Sequence, residues 1–316
     1  MKNQFKKIAL LTSGGDAPGM NAAIRSVVRT CVFHKIIPVG VSKGYDGLIS
    51  GKMIEMNARS VKGIINKGGT ILKTARSDEF RSKSGRDKAF SILKKNKIDG
   101  LIVLGGDGSL TGAKIFYEEN NFPIIGIPCT IDNDLYGTDY SIGFASARET
   151  IVDAVDKIRD TAASHERIFI VEVMGRESGF LALESGVAAG AEMIIIPENK
   201  KNLNDVINDI KKINEEKKSI IIIYAEGCKL GPLNKVSKKI KNAIPGSNVR
   251  YSILGHIQRG GTAVPSDRIL ATILGNKSIE SLLNGEKNKM TNFKLNLIDL
   301  PNESIEIDPV EFAGII

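Results

Sequence analysis

Two stretches of the chain place carboxylates beside groups suited to phosphate. The first, Gly105-Gly106-Asp107-Gly108-Ser109, follows the apolar run Leu101–Leu104. The second, Pro128-Cys129-Thr130-Ile131-Asp132-Asn133-Asp134, follows an apolar run that begins at Ile124. Glycines let a backbone approach a phosphate closely, and a helix opening there supplies N–H groups and partial positive charge. Asp107 is placed to hold Mg²⁺, a hard cation that prefers carboxylate and phosphate oxygens. An aspartate in such a turn also serves as a helix cap. Asp132 and Asp134, on an irregular segment after a proline, read either as an Asx-turn with a surface cap or as the site of a general base for a hydroxyl. Nearby cations would keep that base ionised at neutral pH. A donor held through its metal on one loop and an activated hydroxyl on the next is the arrangement of phosphoryl transfer.

Positioning these loops requires strands that end where they begin. Short apolar runs alternate with stretches of helical period, which predicts an α/β fold with mostly parallel sheets. Strands are expected over 8–12, 37–42, 101–104, 124–128, 168–173, 193–196, 220–225 and 249–254. Helices are expected over 21–35, 109–120, 145–164, 203–216 and 266–284. Ligands of open α/β sheets bind beyond the carboxyl ends of strands, where all the glycine-rich loops fall. Gly14-Gly15-Asp16 echoes Gly105-Gly106-Asp107, as though two anion sites were built the same way. At 316 residues two domains are expected. No Pro, Gly or Ser linker separates them, so the crossings are placed near 141–146 and 255–261.

Composition narrows the function classes. The formal charge is +8, but the lysines are scattered, tryptophan is absent and aromatics make up 5% of the chain. That is too sparse for a base-stacking platform, so no nucleic-acid partner is expected. No apolar run reaches the ~18 residues of a membrane span. The run Ile8–Leu11 breaks at Thr12-Ser13-Gly14, too short for a secretory signal. Cys31, Cys129 and Cys228 match no metal-ligand spacing, and their odd number fits a reducing cytoplasm.

Further motifs complete the pattern. Leu11–Asn21 reads LTSGGDAPGMN, Val173–Arg176 reads VMGR, and Gly255–Gly261 reads GHIQRGG. Taken in order with Gly105–Ser109 and Thr130–Asp134, they resemble the motifs of bacterial ATP-dependent 6-phosphofructokinases from about Lys7 to Leu283.

That resemblance implies the phosphofructokinase fold: two Rossmann-like three-layer αβα domains. Residues 1–143 with 257–305 would form the larger ATP-binding domain, and 144–256 with 306–316 the smaller fructose-6-phosphate domain. It implies Asp132 as the base for the sugar 1-hydroxyl, with Thr130 and Asp134 positioning phosphoryl group and metal, and Asp107 on Mg²⁺. Arg176 and the Gly15 backbone would stabilise the transferred group. ATP would lie on Gly15, Tyr45, Arg76, Ser77, Arg81 and Gly106, Asp107, Gly108 and Ser109. The sugar phosphate would meet Thr130, Ile131, Asp132, Met174, Gly175, Arg176, Glu226, His256, Ile257, Gln258 and Arg259. Arg167 and Arg250 would reach that site from a neighbouring subunit of a homotetramer. Arginine forks match phosphate oxygens bidentately, although a single surface arginine is more often a solvated ion pair. Glu226 ends a strongly apolar strand, where a carboxylate needs donors that sugar hydroxyls could supply.

The chain also departs from the family. Gly108 fits ATP, since a side chain there would crowd the α-phosphate, whereas Cys129 is neither the glycine of ATP users nor the lysine of pyrophosphate users. Pyrophosphate therefore stays open as the alternative donor, and a non-catalytic sugar-phosphate sensor as a remote one. Cys129 reads as a packed small residue or an oxidation-sensitive thiol. Lys73 stands where glycine is common. An effector site for ADP or phosphoenolpyruvate is matched by Arg25, Arg29, Arg159, Gly190, Glu192 and Lys217, with Arg59 beside a lost arginine at Ala58. Gly63, Glu215 and Ser219 replace an acid, a lysine and a histidine, so weak or altered control is expected.

Overall fold

The computed structural model describes residues 5–217 and 219–294. In chain order the first elements are β1 (Lys7–Ser13), α1 (Met20–Phe33), β2 (Ile37–Val41), α2 (Gly44–Ile49) and β3 (Met53–Glu55). A 3₁₀ turn (Glu79–Arg81), α3 (Lys83–Lys95), β4 (Gly100–Gly105), α4 (Asp107–Asn120), β5 (Ile124–Thr130) and β6 (Ile142–Gly143) follow. Next come α5 (Phe144–Ala163), β7 (Arg167–Val173), α6 (Phe180–Ala188), β8 (Met193–Ile195), α7 (Leu203–Glu216) and β9 (Ile220–Ala225). The chain continues through α8 (Leu233–Ala243), β10 (Asn248–Ile253), a second 3₁₀ turn (Gly255–Arg259), α9 (Pro265–Leu283) and β11 (Lys289–Met290).

Two compact units result. The first takes the described residues up to Thr130, Leu135–Gly143, and those from Gly261 onward; the second takes Ile131–Asp134 and Phe144–Gly260. Ile131–Asp134 and Ile257–Gly260 thus fall in the second unit, whereas the sequence placed them in the first. The expected return of 306–316 to the smaller domain lies outside the described residues.

The first unit holds a sheet in the order β11-β5-β4-β1-β2-β3, with β6 on the end of β5. Its pairs are parallel except β2 with β3. Its inner strands are buried on both faces, which is why they read as unbroken apolar runs. One face carries Leu11, Val41, Leu101 and Val103 against Leu48, Leu93 and Phe116 of the helices α2, α3 and α4. The helices α1 and α9 pack together, contacting β1, β2 and β5.

The second unit is a parallel sheet in the order β10-β7-β9-β8. Ile220, Ile221, Ile222 and Ile223 of β9 are fully buried. Each such side chain contributes ~1.5–3 kcal/mol. Ile207 and Ile210 of α7 and Val236 and Ile240 of α8 cover one face, while α5 and α6 pack against β7 and β9.

Every expected strand and helix is present, but four helices exceed expectation. Short α2 carries two glycines, and α6 carries one. In α3 the buried stripe is Gly85, Arg86, Ala89 and Leu93, and Arg86 disguises the period. Its guanidinium is buried because it pairs with Glu119 at 2.7 Å and donates to the carbonyls of Phe80 and Arg81. The stripe of α8 (Leu233, Val236, Ile240) does have helical spacing and was legible, though four lysines interleave it. The strands β3, β6 and β11, of two or three residues, are too short to show a period. No described helix is long and apolar enough to cross a membrane.

Candidate active site

In the first unit, three strand ends bring their loops side by side, since Ser13 pairs with Gly105 and Gly105 with Pro128. At Gly105 a side chain is excluded: a Cβ would stand 2.7 Å from both Ser13 O and Ser109 Cβ. At Gly108 the reverse holds, because a Cβ would meet nothing within 4 Å. That opening lies at the first turn of α4, which begins at Asp107 rather than at Ser109 as expected. Gly106 is the N-cap and offers no side-chain cap. Asp107 does not serve as a cap either; it is exposed, and its side chain makes no hydrogen bond or ion pair with another described residue.

The surrounding residues brace this loop. Tyr45 is buried, stacks on Phe80 at 3.7 Å and donates to Ser109 O at 2.7 Å. Burial raises its phenol pKa. Tyr45 thus shapes the loop from beneath. Thr74 donates to Gly14 O at 2.7 Å, and Thr12 to Lys73 O at 3.0 Å, so the segment bearing Lys73, Arg76 and Ser77 runs along the end of β1. Gly15 is half-buried there, and Arg76 and Arg81 are exposed. The Thr130 side chain lies against Gly106, where a Cβ would approach Thr130 Cβ to 3.4 Å, and Ser141 donates to Thr130 O at 2.7 Å. Cys129 is buried, and burial followed by the Asp267 charge raises its thiol pKa, as befits a packed residue.

In the second unit the carboxylates separate by environment. Asp132 is only 2% exposed, whereas Asp134 lies in solvent. Burial raises the Asp132 pKa; Arg176 opposes this, Asp134 adds to it, Arg259 opposes it, and Glu226 adds to it. Arg176 Nε lies 3.2 Å from Asp132 Oδ2, and Ser178 Oγ donates to Asp132 O at 3.3 Å. Arg176 is held at φ +53°, a left-handed conformation that costs about 1–3 kcal/mol for a non-glycine residue. Glu226 Oε1 secures it by accepting the N–H groups of Gly175 (3.2 Å) and Arg176 (2.8 Å). This corrects the expected environment of Glu226, which is exposed and finds its donors in the backbone.

Glu226 also borders a cavity of about 570 Å³ lined by Glu172, Tyr224, Lys229 and Tyr251 among others. Burial and then the Glu226 charge raise the Glu172 pKa. Gln258 is fully buried; Oε1 accepts the Met174 N–H at 3.0 Å and Nε2 donates to Gly255 O at 2.8 Å. Its neighbours His256 and Ile257 are exposed and Arg259 is half-buried, whereas Ile131 is buried. Arg167 opens β7, six residues before its end at Val173, so about 20 Å of strand separates it from the Arg176 turn. Its Nε is buried without a hydrogen-bond partner among the described residues. Arg250 is exposed on β10, opposite Phe169. Neither lies in the cluster around Asp132.

Thr74, Ser141 and Ser178 were not anticipated. Each acts through one hydroxyl on a distant carbonyl, a contact with no sequence period.

The sequence profile described as Phosphofructokinase matches residues 7–282. The chain belongs to the phosphofructokinase family. Over 287 residues it is 52% identical to the ATP-dependent 6-phosphofructokinase of Cytophaga hutchinsonii, covering 90% of this chain and 88% of that one. Over 298 residues it is 51% identical to the protein of the same name from Clostridioides difficile, covering 94% and 92%. The solved structure of phosphofructokinase from Saccharomyces cerevisiae is similar at a TM-score of 0.81 and 41% identity, over 88% of this chain but 42% of that chain. A pyrophosphate-dependent phosphofructokinase from Marinobacter aquaeolei shares the fold (TM-score 0.78) at 22% identity, over 90% and 77%.

Within this phosphofructokinase-family chain, four expected effector residues meet in the second unit. Arg159 donates to Ala189 O (2.7 Å) and Gly190 O (2.8 Å) and lies 3.6 Å from Glu192. Lys217 reaches the same Glu192 carboxylate at 3.2 Å, whose other oxygen accepts the Ile221 N–H. Arg25 and Arg29 lie one turn apart on α1 in the first unit; burial and then Arg29 lower the Arg25 pKa. Arg59, also in the first unit, is exposed.

Proposed function

We propose that this chain transfers the γ-phosphoryl group of ATP to the 1-hydroxyl of fructose 6-phosphate, giving fructose 1,6-bisphosphate and ADP. The observation that carries this reading is the roughly half-identity, over nine-tenths of the chain, to proteins named ATP-dependent 6-phosphofructokinase.

Asp132 accepts the proton of the 1-hydroxyl. That oxygen forms a bond to the γ-phosphorus as the bond to the bridging oxygen of ADP breaks. A carboxylate whose pKa is raised by burial is a stronger base than a free one, which suits such a transfer. Arg176 and the Gly15 N–H meet the charge that develops on the transferred group, while Thr130 and Asp134 orient it. The opening at Gly108 and the first turn of α4 receive the donor's phosphates. Tyr45, Arg76, Ser77 and Arg81 complete the nucleotide site, Tyr45 from beneath. Met174–Arg176, Glu226 and the turn His256–Arg259 receive the sugar phosphate, with Gln258 bracing that turn from within.

Among the described residues no group of three or more His, Cys, Asp or Glu could hold a metal. That fits Mg²⁺ bound mainly through donor phosphates with one carboxylate, the unengaged Asp107. When bound, Mg²⁺ neutralises phosphate charge.

Arg167 and Arg250, set away from their own loops, serve a neighbouring copy in a homotetramer. Glu192 already holds Arg159 and Lys217, so ADP or phosphoenolpyruvate controls the enzyme weakly. The place of action is the cytoplasm. In the test, Asp132→Ser lowers kcat by ~10²–10⁴-fold with sugar-phosphate binding largely kept. An unchanged kcat would refute the role given to Asp132.

A further inference from the structure

Three successive backbone N–H groups, of Met174, Gly175 and Arg176, all end on side-chain oxygens. Glu226 takes two of them and Gln258 the first. Gln258 sits 84 residues away in sequence, inside the Gly255–Arg259 turn, and is fully buried. An amide carries both acceptor and donor, and here both are spent on backbone, on Met174 N–H and Gly255 O. With no exposed surface, this side chain presents nothing to a sugar phosphate.

We propose that Gln258 is a positioning residue. Its buried amide, acting with Glu226 Oε1, fixes the Met174–Arg176 backbone so that Arg176 keeps the left-handed conformation from which its guanidinium meets Asp132. It joins the turn carrying His256 and Arg259 to the loop carrying Arg176, so the two move as one piece. The inference rests on the reading of Asp132 as the base.

The geometry makes a distinctive demand. Arg176 is the foremost influence lowering the Asp132 pKa, against the raising effects of burial, Asp134 and Glu226; Arg259 is the other cation facing it. Releasing Arg176 therefore raises the pKa of Asp132. The test is Gln258→Met, close in shape but without the amide, in the full chain with ATP, Mg²⁺ and fructose 6-phosphate. We expect kcat to fall about tenfold and the acid limb of the kcat/KM profile to move to higher pH. The melting temperature, measured alongside, separates lost folding from lost positioning. If that variant does not fold, Gln258→Leu, which also lacks the amide and adds no charge, is read the same way. A rise in KM for fructose 6-phosphate with kcat and the acid limb unmoved would overturn the proposal and make Gln258 a contact residue. Failure of the underlying reading shows separately, as absence of turnover in the unsubstituted chain.

Discussion

The two units build their functional ends differently. In the first, the loop Gly105–Ser109 is a backbone surface: space beyond Gly108, an unengaged Asp107, and the start of α4. Its side chains, such as Tyr45 and Thr74, work from behind by holding carbonyls. In the second, the carboxylate proposed as the base is buried within side-chain contacts, with Arg176 on Asp132, Glu226 on the Arg176 backbone and Gln258 on Met174. A polyanionic donor can be received by N–H groups and a metal, which need room. A neutral hydroxyl needs a base whose pKa and direction are set, which needs neighbours.

The contrast can be broken from either side. Arg176→Ala removes the cation beside Asp132 and should lower kcat by about 10²–10³-fold, in the range for losing a donor to transition-state charge. Steady-state kinetics would expose a smaller role if only KM moved. Gly108→Asp fills the opening in the first unit and should raise KM for ATP at least about tenfold. Because a Cβ there meets nothing, the melting temperature should stay put. A variant with unchanged ATP affinity would remove Gly108 from the donor site.

How much of this was legible follows from the same contrast. Backbone-built features leave a mark in sequence: glycines at 105, 106 and 108 after an apolar run announce both the strand end and the open turn. Side-chain wiring leaves less. Asp132 was legible as a candidate base, but its burial was not, because burial depends on what Ser178 and Arg176 bring to it. Gln258 and Glu226 were legible as members of motifs, but their hold on the Met174–Arg176 backbone was not, since type alone does not say which backbone groups a polar side chain meets. Arg86 hid α3 for a related reason: its partner Glu119 is 33 residues away. The crossing into the second unit was placed after Gly143, yet Ile131–Asp134 already belongs there.

Two smaller effects sharpen the picture. With Arg159 and Lys217 both drawn to Glu192, phosphoenolpyruvate or ADP at subsaturating fructose 6-phosphate should change the rate less than about twofold; strong inhibition or activation would show those cations to be available. Stability gives the other. The folded-state pKa of Asp132 is raised, so its charged form is disfavoured by folding at neutral pH, and this cost is relieved as pH falls through the folded pKa. Asp132→Asn should therefore melt about 2 °C higher near neutral pH, with the difference shrinking under acid conditions. A lower melting temperature would mean that the pairing with Arg176 outweighs burial.

The most direct measurement is a coupled assay for fructose 1,6-bisphosphate formed by the unsubstituted chain from fructose 6-phosphate, with either ATP or pyrophosphate as donor and with or without Mg²⁺. Mg²⁺-dependent turnover with ATP, and none above background with pyrophosphate, is the expected result. Turnover with pyrophosphate in preference to ATP, or with neither donor, would contradict the assignment.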